Sequence, residues 1–82
     1  MPELTSEYSS SLKMYVIDNF VFILKRVIEH REEYYYCSVD ENPSSTTIRG
    51  ILKDGVLNFD RNNFHFELPL EELERLECRI LG

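Results

Sequence analysis

The sequence predicts an α+β fold in one small domain: a long N-terminal helix, a four-stranded antiparallel meander and a short C-terminal helix, with both helices on one sheet face. Three observations carry that expectation. Residues 46 to 68 alternate apolar and polar side chains across two turns, the period of a half-buried strand. Residues 10 to 33 set their polar side chains in columns seven apart, as on a mostly buried helix with a narrow solvated stripe. Residues 70 to 80 follow a proline and bring leucines back at helical spacing.

The first eight residues, MPELTSEY, are polar and read as an arm outside the fold. From there to residue 33, polar positions recur at Ser11, Asp18, Lys25 and Glu32 and beside them at Asn19, Arg26 and Glu33. Between these columns lie Leu12, Val16, Ile17, Phe20, Val21, Ile23, Leu24, Val27 and Ile28, a broad apolar face. The Ser9-Ser10-Ser11 run supplies N-cap candidates. The competing reading is a hairpin, because Val, Ile, Phe and Tyr favour strands and Asp18-Asn19 makes a turn between LKMYVI and FVFIL. Helix is preferred because a sheet with one apolar face needs a cover.

Tyr34 to Val39 reads as a strand, with Tyr35, Cys37 and Val39 on one face and Tyr34 and Tyr36 on the other. Asp40 to Ser45 (DENPSS) is the loop that follows. In the meander, Asp54-Gly55 suits the two positive-φ positions of a type I′ turn. That turn sets Lys53 opposite Val56, Leu52 opposite Leu57 and Gly50 opposite Phe59, where the missing side chain leaves room for the ring. With Arg61-Asn62 as the next turn, Phe59 faces Phe64 and Leu57 faces Phe66. One face then collects Ile48, Gly50, Leu52, Leu57, Phe59, Phe64, Phe66 and Leu68 as a core wall, and Arg49, Lys53, Asn58, Asp60, His65 and Glu67 face solvent.

After Pro69, the positions Leu70, Leu73, Leu76 or Glu77, and Ile80 fit a helix. Its charges agree, with Glu71, Glu72 and Glu74 near the positive end of the dipole and Arg75 and Arg79 near the negative end. A turn followed by a strand through Leu76, Cys78 and Ile80 is the alternative.

A length of 82 residues gives one domain with a single modest core. Two cysteines, Cys37 and Cys78, lack CxxC spacing and read as free thiols of a reducing compartment. No basic-then-apolar leader stands at the N-terminus, and Asp18, Asn19, Lys25 and Arg26 interrupt the apolar run, so a cytoplasmic protein outside the membrane is expected. Fifteen acids against nine bases give a formal charge of -6, which argues against direct phosphate binding. His30, Cys37, His65 and Cys78 are too widely spaced for a zinc set, and the three glycines form no phosphate cradle, so neither metal nor cofactor is expected.

The function class expected is a non-enzymatic acidic protein-interaction module. Its candidate binding residues are Glu71, Glu72, Glu74 and Glu77 as an acidic surface, with Tyr34, Tyr36, Arg49 and His65 on the open sheet face. In the sharper form, the carboxylates imitate a phosphate track and occupy the basic groove of a nucleic-acid-handling enzyme, as phage-type inhibitors do. A nucleic-acid binder that stacks bases on Tyr34 and Tyr36 beside Arg49, Lys53 and His65 is the rival, weakened by the acid excess. Catalysis at His65 and Glu67 lacks a nucleophile in register. A homodimer joined through an uncovered sheet edge or the long helix, or a structural subunit, is the remaining class.

Overall fold

The computed structural model describes residues 10–39 and 45–82. The arm over residues 1 to 8 and the body of the DENPSS loop lie outside the described residues. The seven strands are β1 (Ser10–Val16), β2 (Val21–Ile28), β3 (Arg31–Val39), β4 (Ser45–Lys53), β5 (Val56–Arg61), β6 (Phe64–Pro69) and β7 (Glu77–Ile80). A four-residue helix, α1 (Leu70–Leu73), precedes β7. All seven strands join in one antiparallel sheet of order β6-β5-β4-β3-β2-β1-β7.

This corrects the expected α+β class. Residues 10 to 33 form a hairpin and the start of a third strand, and the long helix is absent. At their C-terminal ends the columns seven residues apart are cross-strand neighbours, whereas Asp18 and Asn19 lie in the β1–β2 turn. Arg26 and Glu33 stand directly opposite across the β2–β3 turn, and Arg26 donates to Glu33 Oε1 from Nη2 at 2.7 Å and from Nε at 3.1 Å. Lys25 meets Glu32 on the diagonal at 3.7 Å. Opposite charges at i and i+7 satisfy a heptad and a tight hairpin alike, and the β-branched and aromatic content of the segment decides for strands.

No helix layer is needed, because the sheet covers itself. Laid flat, seven strands would hold the outer two roughly 29 Å apart, at about 4.8 Å per step. The link from β6 to β7 is Leu70–Leu76, four of whose residues are helical at about 1.5 Å each. It starts where the Leu70 N–H donates to the Gly55 carbonyl at the β4–β5 turn (2.9 Å) and ends where Glu77 pairs with Val16 at the opposite end of the strands. A link of that length reaches only if the sheet is curled, bringing its two edges toward each other. Leu70, Leu73 and Leu76, three apart, all turn into the hollow, and Leu73 is fully buried there.

The curl occurs at β4. Ser45–Arg49 pair with β3, whereas Gly50–Lys53 pair with β5. Gly50 makes the bend possible, since a Cβ there would strike the Phe59 ring at Cε2 and come within 2.9 Å of Cδ2 and Cζ. The core on the concave face consists of Tyr15, Ile23, Tyr34, Ile48, Leu57, Phe59, Leu68 and Leu73, with Tyr36 tilted against Phe59, Phe64 and Phe66 at centroid distances of 6.0, 4.9 and 5.4 Å. The convex side of β1–β3 is also apolar, through half-buried Met14, Val16, Phe22 and Leu24 and buried Cys37.

The Asp54-Gly55 hairpin has the expected register, with both turn residues at positive φ (54° and 78°). The next turn is displaced. It is Asn62-Asn63 rather than Arg61-Asn62, so Phe59 faces Phe66 and Leu57 faces Leu68. A turn shifted by one residue moves the register by two, which keeps every side chain on its face. Leu52 is 45% exposed and so stands outside the expected core wall. At the C-terminus both expected elements are present in part: the helix stops at Leu73, and Glu77–Ile80 is the strand.

Candidate functional site

The way the β6–β7 link folds turns its acidic residues outward. Pro69, extended at φ −63° and ψ 144°, opens α1, and the inward turn of Leu70 and Leu73 leaves Glu71 and Glu72 outside. Both acids sit in the first turn, where the helix dipole favours them. Glu74 follows, exposed. From far earlier in the chain, Glu32 on β3 accepts a hydrogen bond from the Tyr34 hydroxyl at 3.2 Å, and the charge of Glu74 bears on that same phenol.

Two tyrosines register this convergence. Burial, then the charge and hydrogen bond of Glu32, then the neighbouring Tyr15 and Glu74 push the Tyr34 phenol up to about 12. Tyr15 is raised by burial first, then by Cys78, Glu74 and Glu32. Glu32 and Glu74 therefore act on the same pair of phenols. Among the described residues, no ion pair engages Glu71, Glu72 or Glu74, and Glu32 has a single partner in Lys25.

The other residues singled out from sequence scatter. Glu77 lies on β7, where Arg79 Nε donates to it at 2.8 Å, and its charge is locally compensated. Tyr34 is core, 4% exposed, and presents no open-face ring. Tyr36 is half-buried among the phenylalanines, its phenol raised by burial and by Asp18. Arg49 is exposed on the convex side. His65, also exposed there, lies 2.8 Å from Glu67 Oε2 and 3.6 Å from Asp60 Oδ1, and these carboxylates raise its pKa, Glu67 first through its hydrogen bond. Neither thiol lies on β6 or its neighbour β5: Cys37 is on β3, three strands away in the sheet order, and Cys78 is on the edge strand β7. Burial raises the Cys37 thiol, which disfavours the thiolate. The His65 cluster is an exposed ion network whose contacts among the described residues are the carboxylates of Glu67 and Asp60.

One feature escapes sequence reading altogether. A cleft of roughly 640 Å³ opens at the end of the curled sheet near the β5–β6 turn, lined by Tyr36, Ser38, Thr46, Ile48, Arg61, Asn62, Asn63 and Phe64. Arg61 is held at its rim by donating to the Thr47 carbonyl at 3.1 Å. Its lining combines the apolar Tyr36, Ile48 and Phe64 with amides, hydroxyls and a guanidinium. The one-residue displacement of the asparagine turn brings Arg61 onto β5 and hence to this rim, and nothing in the local alternation distinguishes the two turn positions.

No family model matches the chain, and no curated protein and no solved structure matches it. Among the described residues, no group of three His, Cys, Asp or Glu side chains is placed to hold a metal ion, and no helix is long and apolar enough to cross a membrane.

Proposed function

We propose that this chain is a cytoplasmic, non-enzymatic protein-binding module that presents its acidic face to a basic partner, the nucleic-acid groove of a DNA- or RNA-handling enzyme. The supporting observation is the meeting of Glu32 with Glu74 around Tyr15 and Tyr34, which adds a β3 acid to the Glu71 and Glu72 surface of α1. Among the described residues, Glu71, Glu72 and Glu74 have no ion-pair partner and Glu32 has only a long contact with Lys25 at 3.7 Å, so the face keeps an excess of negative charge that steers a cationic surface and weakens with salt. Glu77 leaves the proposed set, because Arg79 on the same strand holds it in a close, hydrogen-bonded pair at 2.8 Å. The free state of both cysteines supports the reducing compartment.

The reading that uses base stacking on Tyr34 and Tyr36 loses support from the packing of both rings against the concave core. The test is a quadruple charge-neutral variant, Glu32→Gln with Glu71→Gln, Glu72→Gln and Glu74→Gln, used as bait beside the native chain in nuclease-treated lysate across a salt series. A basic nucleic-acid-handling partner held by the native chain, released by moderate salt and lost from the variant is the expected result. Equal retention with an unchanged salt slope would overturn the proposal.

A further inference from the structure

We propose that β7 is the edge through which a second copy of this chain docks, extending the sheet across a two-fold axis centred on Cys78. The pairing of β1 decides which way the backbone of β7 points. Ile17 donates its N–H to the Val21 carbonyl at 2.9 Å, so in the alternation of an antiparallel ladder Tyr15 and Lys13 also face β2. Leu12 faces the other way, with its carbonyl accepting from the Leu81 N–H at 2.7 Å and its N–H donating to the Gly82 carbonyl at 3.0 Å. Met14 and Val16 therefore bond to Arg79 and Glu77, their partners on β7. The N–H and C=O groups of Cys78 and Ile80 are left pointing outward from the sheet.

Among the described residues, no strand occupies that outer side of β7. All four of its residues are exposed, Ile80 at 75%, and Leu81 just beyond at 51%. Such an edge is a template for another strand unless it is blunted. The opposite edge, β6, ends in Pro69 and carries His65 and Glu67, whereas β7 carries one acid and one base two residues apart.

That spacing makes β7 complementary to itself. In an antiparallel pair centred on Cys78, each Cys78 exchanges two hydrogen bonds with Cys78 of the second copy, using the groups that point outward. Glu77 then stands opposite Arg79 of the second copy, and Arg79 opposite Glu77. Both charge pairs lie in the closely spaced, non-hydrogen-bonded positions, where cross-strand side chains interact most strongly. The next position outward brings Ile80, the most exposed large apolar side chain among the described residues, against the start of β7 of the second copy. The interface is isologous, so it closes at two copies. It uses neither Glu71, Glu72 nor the α1 face, and it stands or falls apart from the proposed acidic-face function.

Charge reversal tests it without touching the core, since Glu77 and Arg79 are each 59% exposed. Sedimentation of the reduced full chain over a concentration series should show a monomer–dimer equilibrium. Glu77→Arg alone and Arg79→Glu alone should each weaken it tenfold or more, by opposing like charges twice. Mixing the two single variants should restore a dimer, because every cross-strand pair is then of opposite sign. Diamide, itself reduced to the hydrazine, should join the two opposed Cys78 thiols into a covalent dimer that Cys78→Ser abolishes, with Cys37 buried and unreactive. A chain that stays monomeric throughout, or a dimer indifferent to charge reversal and to mixing, would overturn the proposal.

Discussion

At the scale of single residues, Gly50 carries the most structure for its size. It is where β4 leaves β3 and joins β5, and where the Phe59 ring lies over the backbone. A methyl group at this position must displace that ring from the centre of the core, a strain of about 1–3 kcal/mol by analogy with other overpacked sites. Gly50→Ala is therefore expected to lower the midpoint of chemical denaturation with little change in slope. In a Phe59→Leu background the same substitution should cost less, and equal costs in both backgrounds would place the strain elsewhere. The opposition of Gly50 and Phe59 is legible in the residues alone, because the Asp54-Gly55 turn sets the register and the register sets the neighbour. The buried role of Tyr34 is not, since Tyr35 and Cys37 on the other face are also shielded and alternation alone does not say which face is the core.

At the scale of elements, legibility follows the contrast between the two faces. The β4–β6 meander has one core face and one wet face, so its period of two survives into the sequence and its architecture is readable there. In β1–β3 both faces are apolar, through Ile23 and Tyr34 within and Phe22, Leu24 and Cys37 without, and the period disappears. The pattern that remains is the seven-residue spacing of Arg26 and Glu33, which a hairpin produces as readily as a helix. The candidate acidic site is half legible for a related reason: Glu71, Glu72 and Glu74 lie together in the chain, but the arrival of Glu32 depends on a long-range fold. The turn between β2 and β3 also lacks the usual hairpin residues. Glu29 and His30 take φ of 52° and 70°, a left-handed backbone that L side chains adopt at about 1–2 kcal/mol each and Asn or Gly adopts more readily. Replacing the pair by Asn-Gly is expected to stabilise the chain by about 1 kcal/mol after the added flexibility of glycine in the unfolded state is subtracted. Thermal unfolding measures this directly, and a lowered midpoint would show that the native side chains support the turn.

At the scale of the whole molecule, the sheet is a sequence of nearest-neighbour hairpins closed by one long-range pairing, β1 with β7. Strands β1 to β6 each lie beside the next in the chain, so their pairings form with short loops. The β1–β7 pairing joins the two ends of the fold, carries a larger loop-closure entropy and is made by a short strand with four exposed residues. Its local opening free energy should thus be the smallest in the sheet, well below that of global unfolding. Because alternate residues of β1 bond to different neighbours, one strand reports both events. The amides of Met14 and Val16, which donate toward β7, should exchange at least tenfold faster than those of Lys13 and Tyr15, which donate toward β2. Residue-resolved hydrogen exchange at low protein concentration, where β7 pairs only within its own chain, is the measurement. Uniform protection along β1 would mean that β7 leaves only when the whole sheet unfolds, held there by Leu73 and Leu76 in the hollow. If a second copy occupies the outer side of β7, the protection of Met14 and Val16 should also rise with concentration while that of Lys13 and Tyr15 stays constant.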